Sequence, residues 1–196
     1  LHADALLVHH GYFWKGEASA IVGMKKRRIQ RLLEHDINLF AYHLPLDLHA
    51  DVGNNAQLAR VLNWTLVSED LVNGLLPIVR RVQFDVPQSG EQVVRQLFQR
   101  LGREPMHIVA DRPIKTIALC TGAAQSYIHD AVALGVDAFL SGEISEQTVH
   151  EAQENNLHYF AAGHHATERY GVKALGEHLA KQFDVECEFV DIDNPV

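Results

Sequence analysis

Short apolar runs alternate with amphipathic stretches along the whole chain, and this rhythm admits few architectures other than an α/β fold with a largely parallel or mixed sheet. Strands are expected over residues 4–8, 37–42, 64–67, 79–86, 106–109, 116–120, 137–140, 157–161 and 186–191. Between them, Ile29, Leu32 and Leu33 form a helical stripe within 23–35, and Val93, Val94, Leu97, Phe98 and Leu101 form a second. Ser89 with Gln92 makes a capping box ahead of that second helix, and Gly102 closes it. A third helix starts near Gln125 and ends at Gly135, and Val172, Leu175 and Leu179 mark a fourth over 166–182. At 196 residues, 47% of them hydrophobic, the chain has a core without needing a disulfide or a structural metal, so any bound metal is expected to be functional.

The pattern occurs twice. Leu1, Asp4, Ala5 and Leu7 in "LHADALLVHH" match Leu134, Asp137, Ala138 and Leu140 in "LGVDAFLSGE" position for position. Further on, "LFAYHLPLD" lies on "FAAGHHATE", which pairs Ala41 with Ala162, His43 with His164 and Asp47 with Glu168. Both copies then carry a histidine followed four residues later by a carboxylate. The expected division is a first α/β repeat over 1–67, a connection over 68–78 and a second repeat over 79–196. Because Leu1 already enters an apolar run and no initiator Met precedes it, the first repeat is expected to lack its N-terminal part.

Three strand ends deliver side chains that ligate metals. His9 and His10 follow "ALLV", His43 to Asp47 follow "INLFAY", and His164 to Glu168 follow "LHYFAAG". Sites in open α/β sheets form in the crevice beyond the carboxyl ends of the strands, where all three clusters fall. A bulky polar doublet directly after a buried strand is costly unless its nitrogens find partners. Imidazole and carboxylate together suit iron, zinc or manganese, and paired ions need a bridging carboxylate, a role open to Asp47 and Glu168. The expected ligands are therefore His9, His10, Asp47, His164 and Glu168, holding two divalent ions in a site between the repeats. His43 is either a sixth ligand or a supporting group. On a helix opened by "GHHATE", His164 and Glu168 share a face, and His165, turned about 100° away, is either exposed or faces a substrate, where it is one candidate for proton transfer. Glu143 aligns with His10 in the repeat, follows a strand, and is the other candidate for proton transfer.

Other readings are weaker. A net charge of −8 disfavours duplex nucleic acid. Runs such as 5–8 and 117–120 are far shorter than the roughly 20 residues of a membrane span. Cys120 and Cys187 both sit in apolar strand-like runs and read as buried thiols of a cytoplasmic protein. The turn "CTGAAQS" over 120–126 lacks the lysine of a phosphate loop, Ser126 lacks a nucleophile elbow, and Lys25, Lys26, Arg27 and Arg28 read as a solvated helix face.

The segments "VHHGYFWKG", "HLPLD", "GNNAQLA", "SGEISEQTVH" and "AAGHHATERYG" together resemble the GTP cyclohydrolase I type 2 homologue family, also called NIF-three-like dinuclear metal-centre proteins, and especially its bacterial YbgI-type members. The resemblance implies two intertwined α/β repeats assembled as a toroidal homohexamer, with metal sites facing the interior. Its ligand motifs fall on His9, His10, Asp47, His164 and Glu168. The function it implies is a dinuclear metal hydrolase acting on an electrophilic carbon of a purine nucleotide, such as C8 of GTP. The alternative is a metal-binding, metal-handling or regulatory scaffold without turnover.

Overall fold

The computed structural model describes residues 2–67 and 77–196. Elements follow in the order β1 (Ala5–Val8), α1 (Gly23–Glu34), β2 (Asn38–Ala41), α2 (Leu44–Leu48), α3 (Asn54–Leu62), β3 (Arg80–Gln88), α4 (Gly90–Leu101), β4 (Met106–Ile108) and β5 (Ile114–Leu119). A 3-10 turn at Gln125–Tyr127 leads into α5 (Ile128–Ala133), then β6 (Ala138–Ser141), α6 (Glu146–Glu154), β7 (His158–Ala161), α7 (His164–Glu168) and α8 (Tyr170–Phe183). β1 and β2 form a parallel pair, and the other strands form a mixed sheet in the order β3-β5-β6-β7-β4 whose outer pairings are antiparallel. The fold is mixed α/β.

Period-two alternation splits the core between the two faces of the five-stranded sheet. Ile117, Leu119, Ala138, Leu140 and Phe160 point to the face covered by α3 and α4, where Leu58, Leu62, Val93 and Leu97 meet them. Ala118, Cys120, Phe139, Tyr159 and Ala161 point to the other, against Ile128, Ala131 and Ala152 of α5 and α6. The capping box of α4 is present on both sides, with Ser89 accepting from the Gln92 amide, and Gly102 closes the helix in the left-handed conformation.

The duplicated pattern has a structural counterpart, because β1-α1-β2-α2 and β6-α6-β7-α7 follow the same order and each strand pair is parallel. Ala5 pairs with Asn38 as Ala138 pairs with His158, which agrees with the first alignment. The second alignment is off by one, since Val8 pairs with Ala41 but Ser141 pairs with Ala161. One extra residue, at Gly163, stands between the strand and the histidine of the later copy.

Three expectations are corrected. Residues 64–67 contribute a single antiparallel bridge, Leu66 to Val82, because Trp64 turns into the core and donates its indole N–H to Gln96. Residues 186–191 form no strand; Asp191 ties this tail to the helices through His165 and Arg169, and its apolar side chains stay exposed. Cys120 is buried as expected, but Cys187 lies on that tail and is exposed. Most of the expected connection over 68–78 lies outside the described residues.

Away from the strand ends expected to carry the site, His158 on β7 is buried and donates from Nε2 to the Arg112 carbonyl at 2.8 Å. Its Nδ1 then accepts from the Ala110 amide at 3.2 Å and from His107 Nε2 at 3.0 Å. His107 stacks on Phe160 with centroids 4.4 Å apart, and burial, then the neighbouring His158, lower it to about 4. A depressed histidine pKa means that below pH 6.5 the unfolded chain takes a proton which the folded chain refuses. The contribution of His107 to stability is therefore expected to fall by about 2 kcal/mol as pH drops from 6.5 to 4, and to level off below that. His107→Gln should flatten this limb in urea unfolding measured across the same range; an unchanged slope would refute it.

Candidate metal centre

The parallel strands β1, β2 and β7 each end by handing the chain to a ligand-type side chain. His9 and His10 leave β1, His43 caps α2 directly after β2, Asp47 lies within α2, and His164 and Glu168 stand one helical turn apart on α7. These six residues converge. One nitrogen or oxygen from each member of three overlapping groups lies within 4.8 Å of the others in its group: His9, Asp47 and Glu168; His10, His164 and Glu168; and His9, His10 and His43.

Glu168 joins the first two groups through different oxygens. Its Oε1 lies 3.6 Å from His9 Nε2, and its Oε2 lies 3.3 Å from His10 Nε2 and 2.7 Å from His164 Nε2. His9 Nε2 is buried, 3.4 Å from Asp47 Oδ2, and makes hydrogen-bond geometry with no group. An orphaned buried imidazole nitrogen facing two carboxylates is costly as it stands and suited to a cation. The donor set fits divalent metals that accept mixed nitrogen and oxygen ligands. His9 Nδ1 donates to the Tyr42 carbonyl at 3.0 Å and His164 Nδ1 to Glu143 Oε1 at 2.6 Å, which leaves Nε2 of each ring as the ligating atom.

The electrostatics follow. Burial opposes a proton on His9, but Asp47 and Glu168 outweigh it and push the imidazole up to about 9. The hydrogen bond from Glu168 raises His164 to about 9, against burial and with help from Glu143. Burial would raise Glu168, yet His164 and His9 hold it down at about 2. His10 is lowered, by burial first and by the charges of His9, His164 and His43, against the pull of Glu168. Protons thus occupy the atoms a cation would take, so loading an ion releases them.

The two candidates for proton transfer part company. Glu143 reaches the cluster, with one oxygen on His164 and the other 3.5 Å from Gln125 Nε2. His165 does not face the ligands; its Nε2 lies 3.0 Å from Asp191 of the tail.

Several supporting residues escape a reading by ligand type. The fully buried Asn54 donates to Asp47 at 2.8 Å and accepts from the Gly171 amide at 2.7 Å. Asn55, also fully buried, accepts from the Thr121 amide at 2.9 Å. Thr167 accepts from the Gly122 amide at 3.1 Å, so the "CTGAAQS" turn buttresses the cluster. The available signal was two adjacent amides opening a helix whose later positions, Ala56, Leu58, Ala59 and Leu62, are apolar.

Comparison with known proteins identifies the family. The model of the Duf34/NIF3 (NGG1p interacting factor 3) family matches residues 1–195. The chain is 54% identical to the GTP cyclohydrolase 1 type 2 homolog of Pseudomonas aeruginosa, over 98% of this chain and 77% of that one. With the homolog of Escherichia coli K12 it shares 48% identity over 100% of this chain and 78% of that one. Among solved structures, protein ybgI, described as of unknown function, superposes with a TM-score of 0.92 at 47% identity, covering 99% of this chain and 77% of that one. Reduced HcgD from Methanocaldococcus jannaschii superposes with a TM-score of 0.76 at 26% identity, covering 93% and 72%. On sequence and fold alike, the chain belongs to the Duf34/NIF3 family.

Proposed function

We propose that this chain is a dinuclear divalent-metal hydrolase acting on a purine nucleotide, in keeping with the name its relatives carry. The observation that carries the reading is the split of Glu168, one oxygen toward His9 and Asp47 and the other toward His10 and His164. When bound, two ions in such a site supply Lewis acidity and a nucleophile at neutral pH. The chain's own residues do the rest. Tyr42 and Glu143 hold the His9 and His164 rings in one orientation, and Asn54 fixes the Asp47 carboxylate. Glu143, about one-third exposed, keeps a proton at His164 Nδ1 with one oxygen and is assigned the relay of a proton to a leaving nitrogen.

A non-catalytic metal-binding or regulatory scaffold is the second reading, favoured by the engagement of Glu143 with His164 and of His165 with Asp191. Assembly as a homohexameric ring accompanies either reading; exposed Phe13, Ile21, Val22, Leu33 and Phe40 supply apolar surface for it, and sedimentation measures it. Among the described residues no helix is long and apolar enough to cross a membrane.

The test is elemental analysis after reconstitution with iron, zinc or manganese, followed by a screen of nucleotides for metal-dependent hydrolysis. About two ions per chain are expected, because three or more imidazoles and two carboxylates exceed one tetrahedral shell. One ion or fewer at saturation refutes the paired site. Two ions without turnover of any nucleotide give the scaffold reading precedence.

A further inference from the structure

A cavity of about 560 Å³ opens beside the histidine cluster, lined by His10, Gly11, Tyr12, Trp14, Arg28 and His164. We infer that this cavity binds a ligand joining a flat ring to an anionic group, with Trp14 as the platform for the ring and Arg28 as the contact for the anion. The inference rests on the hydrolase reading and names residues that would select its substrate.

Trp14 is 43% exposed yet held in place. Its indole N–H donates to the Gly11 carbonyl at 3.1 Å, and its ring packs against His10 and His43 at centroid distances of 5.5 and 5.1 Å. An immobilised, half-exposed indole beside a polar cluster offers a π-face at little entropic cost to an incoming ring. Arg28 lies across the opening with its guanidinium 5.7 Å from the centre of the Tyr12 ring. Among the described residues no carboxylate pairs with it. It belongs to a helix carrying Lys25, Lys26, Arg27 and Arg31 and a single acid, Glu34, on a chain of net charge −8. Of these cations Arg28 is the one that lines the cavity, and Lys25 is paired with Glu17. Guanidinium geometry suits phosphate or carboxylate, and the cavity, open on one side, is large enough to seat a mononucleotide. Because His10 and His164 line the same cavity, a ligand placed there abuts the half-exposed donor group.

The test titrates GMP, guanosine and ribose 5-phosphate into zinc-loaded and chelated protein, following intrinsic fluorescence and heat. Trp14 is exposed and Trp64 is buried, so saturable quenching reports the cavity. GMP is expected to bind at least about 10-fold more tightly than either fragment. Arg28→Ala should lower GMP to the guanosine level and leave guanosine unchanged, with Arg28→Lys recovering part of the loss. Trp14→Ala should weaken GMP and guanosine about 10-fold and spare ribose 5-phosphate. Both side chains are exposed, so a matching thermal melt confirms that the variants fold. Unchanged GMP affinity in Arg28→Ala and Trp14→Ala, or no saturable binding in either form of the parent, overturns the inference. GMP binding without turnover of any nucleotide would sink the hydrolase reading and leave the cavity assignment standing.

Discussion

Glu168→Gln is expected to release both ions together. The carboxylate reaches His9 with one oxygen and His10 and His164 with the other, so the amide removes a charge shared by two donor groups. The loss of affinity should exceed, for each ion, the roughly 10- to 100-fold that a supporting residue costs. His10→Ala is the comparison, because His10 shares a group with His164 and Glu168 while His9, Asp47 and Glu168 stay intact. It should lose mainly one ion. Elemental analysis after equilibrium dialysis reads both. If Glu168→Gln keeps one ion at parental affinity, Glu168 does not bridge.

Gly122→Ala is expected to damage both stability and metal content through a residue that ligates nothing. Gly122 has φ +68°, and a Cβ built on it would land inside the van der Waals shell of Glu168 Oε1. The left-handed conformation alone costs an alanine about 1 to 3 kcal/mol. The clash falls on the carboxylate end of Glu168, which must shift and so give up its contact with His164. The expected outcome is a melting temperature lower by several degrees, at roughly 2 to 4 °C per kcal/mol, together with loss of both ions. Gly135→Ala separates the two effects, since Gly135 has φ +65° but nothing within 4 Å of an added Cβ. That control should lose stability and keep its metal. If Gly122→Ala binds two ions with parental affinity, the turn does not position Glu168.

Much of this architecture was legible in the residues because the signals are local. Short unbroken apolar runs such as "IALC" and "AFL" mark strands buried on both faces, and Ser89, Gln92 and Gly102 bracket α4 at its two ends. Ligand types directly after three strands needed only the rule that α/β sites lie at carboxyl ends. The amphipathic alternation of "VECEFVDI" misled for the same reason. A strand forms only where a sheet edge accepts its backbone, and this segment is anchored along α7 and α8 by Asp191 instead.

The chain's own sequence determined the order of strands and helices, the duplicated β-α-β-α pattern and the six side chains that gather at its strand ends. Only the tertiary structure decided that Glu168 is divided between two donor groups while Asp47 faces one, that Glu143 orients His164, and that His165 turns to the tail. It also decided that Asn54, which holds Asp47, is itself held by Gly171, 117 residues further along the chain. Periodicity and capping act over one or two turns of chain, whereas the partner of a buried polar group is whichever group packing brings within 3 Å, and no spacing along the sequence encodes that.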